Sequence, residues 1–126
     1  MRTLPAIPLT AGAAIAPRRY VKFSADRTVI QATAATDAII GVSDSLGAAA
    51  QGDRVEVYVL GAELEVEAGG NITRGDELTS DANGKAVAAA PAAGATCRTA
   101  GVAMGSYVAG DVAEYLAAPG SKTTPA

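Results

Sequence analysis

The chain has no histidine, no tryptophan and a single cysteine, Cys97, among its 126 residues. Without imidazole there is no Ser–His or Cys–His pair and no histidine-bearing zinc site. One cysteine allows neither an internal disulfide nor a cysteine cluster. Basic residues are few, 10 against 13 acidic, for a formal net charge of −3. With a pI near 4.8 and no Lys/Arg run, nucleic acid is not expected as a partner. No run of 18 apolar residues occurs, so no helical membrane span and no membrane partner is expected. Large apolar side chains are also scarce: Leu, Ile, Val and Phe together number 25. That is thin for a core of this length and suits a shallow fold that completes its burial against other chains.

What the chain does have is alanine, 30 of its 62 apolar residues, and short β-branched runs separated by Gly-Asp, Asn-Gly and Ala-Gly turns. That alternation predicts an all-β fold, a small barrel or sandwich. The clearest strand is 53–60, where Val55, Val57 and Val59 share one face while Arg54, Glu56 and Tyr58 share the other. Gly61 breaks it, and 63–67 resumes with Leu64 and Val66 inward. Further strands are predicted at 19–23, 28–32, 38–43, 77–79, 85–89, 97–104 and 112–116. Asp81-Ala-Asn-Gly84 reads as a hairpin turn. Helix signal is poor, with room for one turn near 43–51.

An internal repeat organises these runs. Ala11-Gly12, Ile15, Val21 and Ile30 match Ala68-Gly69, Ile72, Leu78 and Val87 at a constant offset of 57. After a three-residue slip Gly41-Val42 matches Gly101-Val102, and Gly52-Asp53 with Glu56 matches Gly110-Asp111 with Glu114. Two similar β-units, about 11–60 and 68–117, are therefore expected within one β-domain at 18–117. Residues 1–17, apolar from Leu4 and interrupted by Pro5 and Pro8, read as an extended N-terminal arm rather than a signal peptide. Residues 118–126 read as a polar C-terminal tail. Such ends are mobile unless something holds them, and a neighbouring chain is the expected holder.

No catalytic constellation emerges. Glu63, Glu65 and Glu67 span roughly 13 Å on one strand face, too far to share one metal unaided, and read as a solvated face. The aspartates sit in turns, where Asp accepts from local backbone N–H groups. Arg74-Gly75-Asp76 spells an adhesion tripeptide, but Gly52-Asp53 and Gly110-Asp111 suggest that Gly-Asp here turns the chain into a strand. Gly84-Lys85 lacks the upstream glycine of a phosphate loop, and Asp81-Ala-Asn-Gly84 lacks the later ligands of a calcium loop. Cys97 reads as a small buried hydrophobe. No enzyme activity, metal or cofactor is expected.

The succession Ile40-Gly-Val42, Gly52-Asp-Arg-Val-Glu-Val57, Gly61, Val66-Glu-Ala-Gly-Gly-Asn-Ile72, Gly75-Asp-Glu-Leu-Thr-Ser-Asp81 and Asn83-Gly-Lys-Ala-Val87 resembles the capsid cement (head decoration) proteins of tailed bacteriophages. Gly101-Val-Ala-Met104 and Gly110-Asp111 continue the same order, so the resemblance covers roughly residues 11–117. It implies a non-enzymatic β-rich protein on the outside of a mature capsid, made in the bacterial host cytoplasm, with the major capsid protein as partner and itself as a homotrimer. Arg2, Leu4, Ile7, Leu9, Arg18 and Arg19 are the candidate contacts to capsid or neighbour. Deleting residues 2–17 is then expected to spare the fold and weaken assembly. The alternative is a secreted surface- or carbohydrate-binding β-module, which needs exposed aromatics; the chain offers Tyr20, Phe23, Tyr58, Tyr107 and Tyr115.

Overall fold

A computed structural model describes residues 6–59 and 63–125. Ten strands carry the fold: β1 (Ala6–Ala11), β2 (Tyr20–Ala25), β3 (Thr28–Gln31), β4 (Gly41–Ser43), β5 (Arg54–Tyr58), β6 (Leu64–Glu67), β7 (Glu77–Ser80), β8 (Ala86–Ala88), β9 (Thr96–Ala103) and β10 (Val112–Thr123). No helix occurs among the described residues. The stretch 43–51, which carried the only helix signal, makes turns in which the Asp44 carboxylate accepts from the N–H groups of Leu46 and Gly47.

The first five strands form a closed barrel in the order β1-β3-β2-β4-β5, and the last five form a sheet in the order β6-β10-β9-β7-β8. Set against each other, the two orders are the same ring, with β6 to β10 in the places of β1 to β5. In the first unit the ring closes through parallel pairing of Ala11 with Val29. In the second, the matching pair, Ala68 and Ala86, makes an isolated parallel bridge. The repeat extends to single hydrogen bonds. Ala11 N–H donates to the Asp53 carbonyl and Ala68 N–H to that of Asp111, both at 2.8 Å. The bridges Ile15–Ala48 and Ile72–Tyr107 also correspond.

Alternation decides which side chains face inward. Leu9, Ala11, Val21, Val29, Val55 and Val57 fill the closed barrel. Leu64, Val66, Leu78, Ala86, Ala113 and Tyr115 fill the second unit, in a cluster that also takes Tyr20, Ala32, Ile39 and Val42 from the outer wall of the first. Small inward residues such as Ala11, Ala86 and Ala113 let the walls of so narrow a ring approach, which is one use for the alanine. Cys97 is buried and unpaired.

Both chain ends behave differently from expectation. Ala6 to Thr10 pair with Tyr58 to Arg54 across β1 and β5, so this part of segment 1–17 is a barrel strand with Leu9 in the core. Deleting 2–17 would therefore remove the strand that pairs with both β3 and β5. The periodicity there is hidden because Pro5 and Pro8 break the pattern, Pro8 being tolerated with its side chain outward. At the other end β10 runs on through residues 118–123 and pairs with β9 after an irregularity between Ala117 and Gly120. These described parts of both ends are thus held by the chain itself.

Candidate interaction surface

The seam between the two units is built by the segment Arg18-Arg19-Tyr20. Arg18 has a positive φ of 53°, and this turn drives the chain between β6 and β8. There Glu67 N–H donates to the Arg18 carbonyl at 2.9 Å, and Tyr20 N–H donates to the Gly84 carbonyl at 2.8 Å. In the first unit the matching edge is closed directly, Thr10 N–H donating to the Arg27 carbonyl at 3.1 Å. The inserted segment therefore keeps the second ring from closing fully, and Tyr20 is the wedge. Its ring meets that of Tyr115 edge-on at a centroid distance of 5.7 Å. Burial pushes both phenols well above their usual range, so both rings stay neutral.

Charge pairs rim the seam. Arg18 lies 3.5 Å from Glu65, Arg19 lies 3.3 Å from Glu67, and Lys85 lies 3.1 Å from the other oxygen of Glu67. Arg19 also donates to the Asn83 carbonyl at 2.9 Å. Burial raises the Glu67 carboxyl, but the Lys85 hydrogen bond and the Arg19 and Lys85 charges outweigh it and hold the group below its ordinary value. On the glutamate face expected to be solvated, Glu65 is exposed, while Glu65 and Glu67 both pair with basic residues of the same chain. Glu65 stands directly opposite Glu114 across β6 and β10, a like-charge pairing that Arg18 offsets. These three side chains, with Glu63, Asp44 and Tyr58, line a cleft of about 200 Å³.

Of the six contact residues read from the sequence, Arg2 and Leu4 lie outside the described residues. Ile7 is 38% exposed at one end of the barrel, and Leu9 is buried in its core. Arg18 and Arg19 are engaged within the chain as just described. Ile7 and Leu9 line one groove at the end of the barrel, whereas Arg18 and Arg19 lie at the seam between the units. Sequence reasoning missed Leu46, 83% exposed; a lone apolar residue in a turn carries no periodic signal. Phe23, which the sequence offers only as an aromatic, is 55% exposed. No group of His, Cys, Asp and Glu able to hold a metal occurs among the described residues, and no helix is long and apolar enough to cross a membrane.

The Gly-Asp turns are structural. Gly52, Gly75 and Gly110 have φ of 91°, 90° and 93°, a region that glycine enters without cost. The following Asp53, Asp76 and Asp111 each accept from the N–H three residues back, at 3.0, 2.9 and 3.0 Å. The adhesion-like tripeptide is one of these three identical turns.

A sequence profile of the phage cement proteins matches residues 2–119. The chain belongs to that family. No curated protein sequence matches it. Among solved structures the cement protein is similar to the head fiber gp8.5 N base of bacteriophage phi29, with 21% identity, 92% of this chain and 95% of that chain covered, and a TM-score of 0.66. At that identity the likeness is one of fold. Membership in a cement family gives this protein a structural role and a place on the virion capsid.

Proposed function

We propose that this cement protein binds the outer surface of the mature phage head, by contact with the major capsid protein, and stabilises it, acting as a trimer. The observation that supports the reading is the match to the cement family, on a β-fold built of two copies of one unit, each with an exposed apolar side chain in the connection before its last strand. Leu46, in the β4–β5 connection, and Val108, 57% exposed in the β9–β10 connection, occupy corresponding loops anchored by the Ile15–Ala48 and Ile72–Tyr107 bridges. Exposed apolar side chains on rigid loops are what a shallow docking surface needs. Many identical sites on an expanded shell then gain by multivalency, and a protein that binds only the expanded state raises its stability by mass action. The chain would be made in the bacterial host cytoplasm before it reaches the head.

Co-sedimentation with mature capsids lacking the protein tests this reading. Saturation at a fixed number of copies, with a raised capsid melting temperature, is expected. The Leu46→Asp, Val108→Asp double variant should keep its fold and lose most of that binding. Absence of wild-type binding to intact expanded shells would reject the role.

A further inference from the structure

The internal repeat leaves one contact made within the chain and its copy unmade. The end of the second unit formed by Leu64, Ser80, Ala100 and Ala117 is covered, the first three being buried. It is covered by the outer wall of the first unit, through Tyr20, Ile39 and Val42. That wall is a cross-strand ladder in which Tyr20 pairs with Val42 and Val42 with Tyr58.

The repeat carries the same two surfaces a second time. Ile7, Phe23, Ile40 and Val59 take the places of Leu64, Ser80, Ala100 and Ala117 at the end of the closed barrel. With Pro119 and Arg27 they line an open groove of about 450 Å³. Glu77, Val102 and Leu116 take the places of Tyr20, Val42 and Tyr58, in the same register: Glu77 pairs with Val102, and Val102 with Leu116. This ladder faces outward, with Leu116 46% and the nearby Met104 41% exposed. Each chain thus carries one uncovered end and one uncovered wall of the kinds that already fit each other inside it.

We propose that the open end of the barrel in one copy receives the Glu77–Val102–Leu116 ladder of a second copy, repeating between chains the contact that joins the two units within a chain. Charge supports the pairing. Arg27 stands at the rim of the groove, and the ladder brings the exposed carboxylate of Glu77. At the internal seam the signs are exchanged, the wall supplying Arg18 and Arg19 and the end supplying Glu65 and Glu67. The contact is head-to-tail, so it consumes one surface of each kind per chain and can close a ring of copies. The inference deepens the self-association reading above and rests on it for the number of copies, three. Of the six contact residues read from the sequence, it assigns Ile7 to a neighbouring chain.

The test is the solution mass of the full chain by sedimentation and light scattering over a wide concentration range. Wild type is expected at three chains, and Phe23→Asp and Leu116→Asp each at one. An equimolar mixture of the two variants should give a dimer and nothing larger, because one intact end and one intact ladder remain between them. Phe23→Ser and Leu116→Ser, with circular-dichroism melts, guard against loss of fold. Variants that stay trimeric overturn the assigned surfaces and leave the trimer standing. A wild type that remains monomeric overturns both, while capsid binding is read separately by co-sedimentation. A mixture without dimer overturns the head-to-tail arrangement. A Phe23→Asp protein that keeps its trimer but no longer binds capsids would give the groove to the capsid instead.

Discussion

Gly41 and Gly101 show how a repeat landmark in sequence becomes a steric requirement. A Cβ at Gly41 would run into the Tyr58 carbonyl oxygen, and one at Gly101 into that of Leu116. Both obstacles are backbone, so neither can step aside as a flexible side chain would. Gly41→Ala and Gly101→Ala are each expected to cost about 2–4 kcal/mol in chemical denaturation. Glu67 gives the complementary electrostatic case. Its carboxyl is held below the ordinary range by Lys85 and Arg19 despite its burial. The stability it contributes is therefore present above the unfolded-state pKa and is lost as pH falls through the folded value. Glu67→Gln should lower stability by roughly 1 kcal/mol at neutral pH, and the gap to wild type should close in acid. A gap that persists below the carboxylate range would mean that packing, not charge, is responsible.

At the scale of elements, nine of the ten strands were legible, because alternation of Val, Leu and Ile against polar neighbours has period two and turn residues bound each run. Val57 and Val66 are fully buried on the inward faces that alternation assigns them. Val57→Asp or Val66→Asp should accordingly abolish cooperative folding, as an unpaired charge in either core has no partner. The strand that escaped was β1, where proline interrupts the pattern and Leu9 and Ala11 are the only buried residues. Removing residues 2–17 takes away the partner of both β3 and β5. The truncated chain should lose its thermal transition, and a truncation that still melts cooperatively would show that the barrel closes without β1. The C-terminal run of β10 was hidden for a related reason: its exposed small and polar residues carry no hydrophobic period, and pairing with β9 alone makes them a strand.

For the whole molecule, the two units share the Tyr20–Tyr115 contact and one core cluster, so they should unfold together in a single transition. Tyr20→Ala would leave a cavity at that seam and is expected to cost about 3–5 kcal/mol; calorimetry would also show whether the units then part into two transitions. The amino-acid sequence alone determined the all-β class, the duplicated plan and the Gly-Asp turns, since these are local matters of side-chain period and backbone freedom. Only the tertiary structure decided which basic residues face outward. Arg18 and Arg19 are candidate partner contacts in the sequence, yet they pair with Glu65 and Glu67 of their own chain, and Leu9 is buried in the barrel. The reason is that two copies of one β-unit begin with the same apolar ends and walls. Which copies are covered is settled by how the units pack, and that packing leaves the Phe23 end and the Leu116 wall exposed.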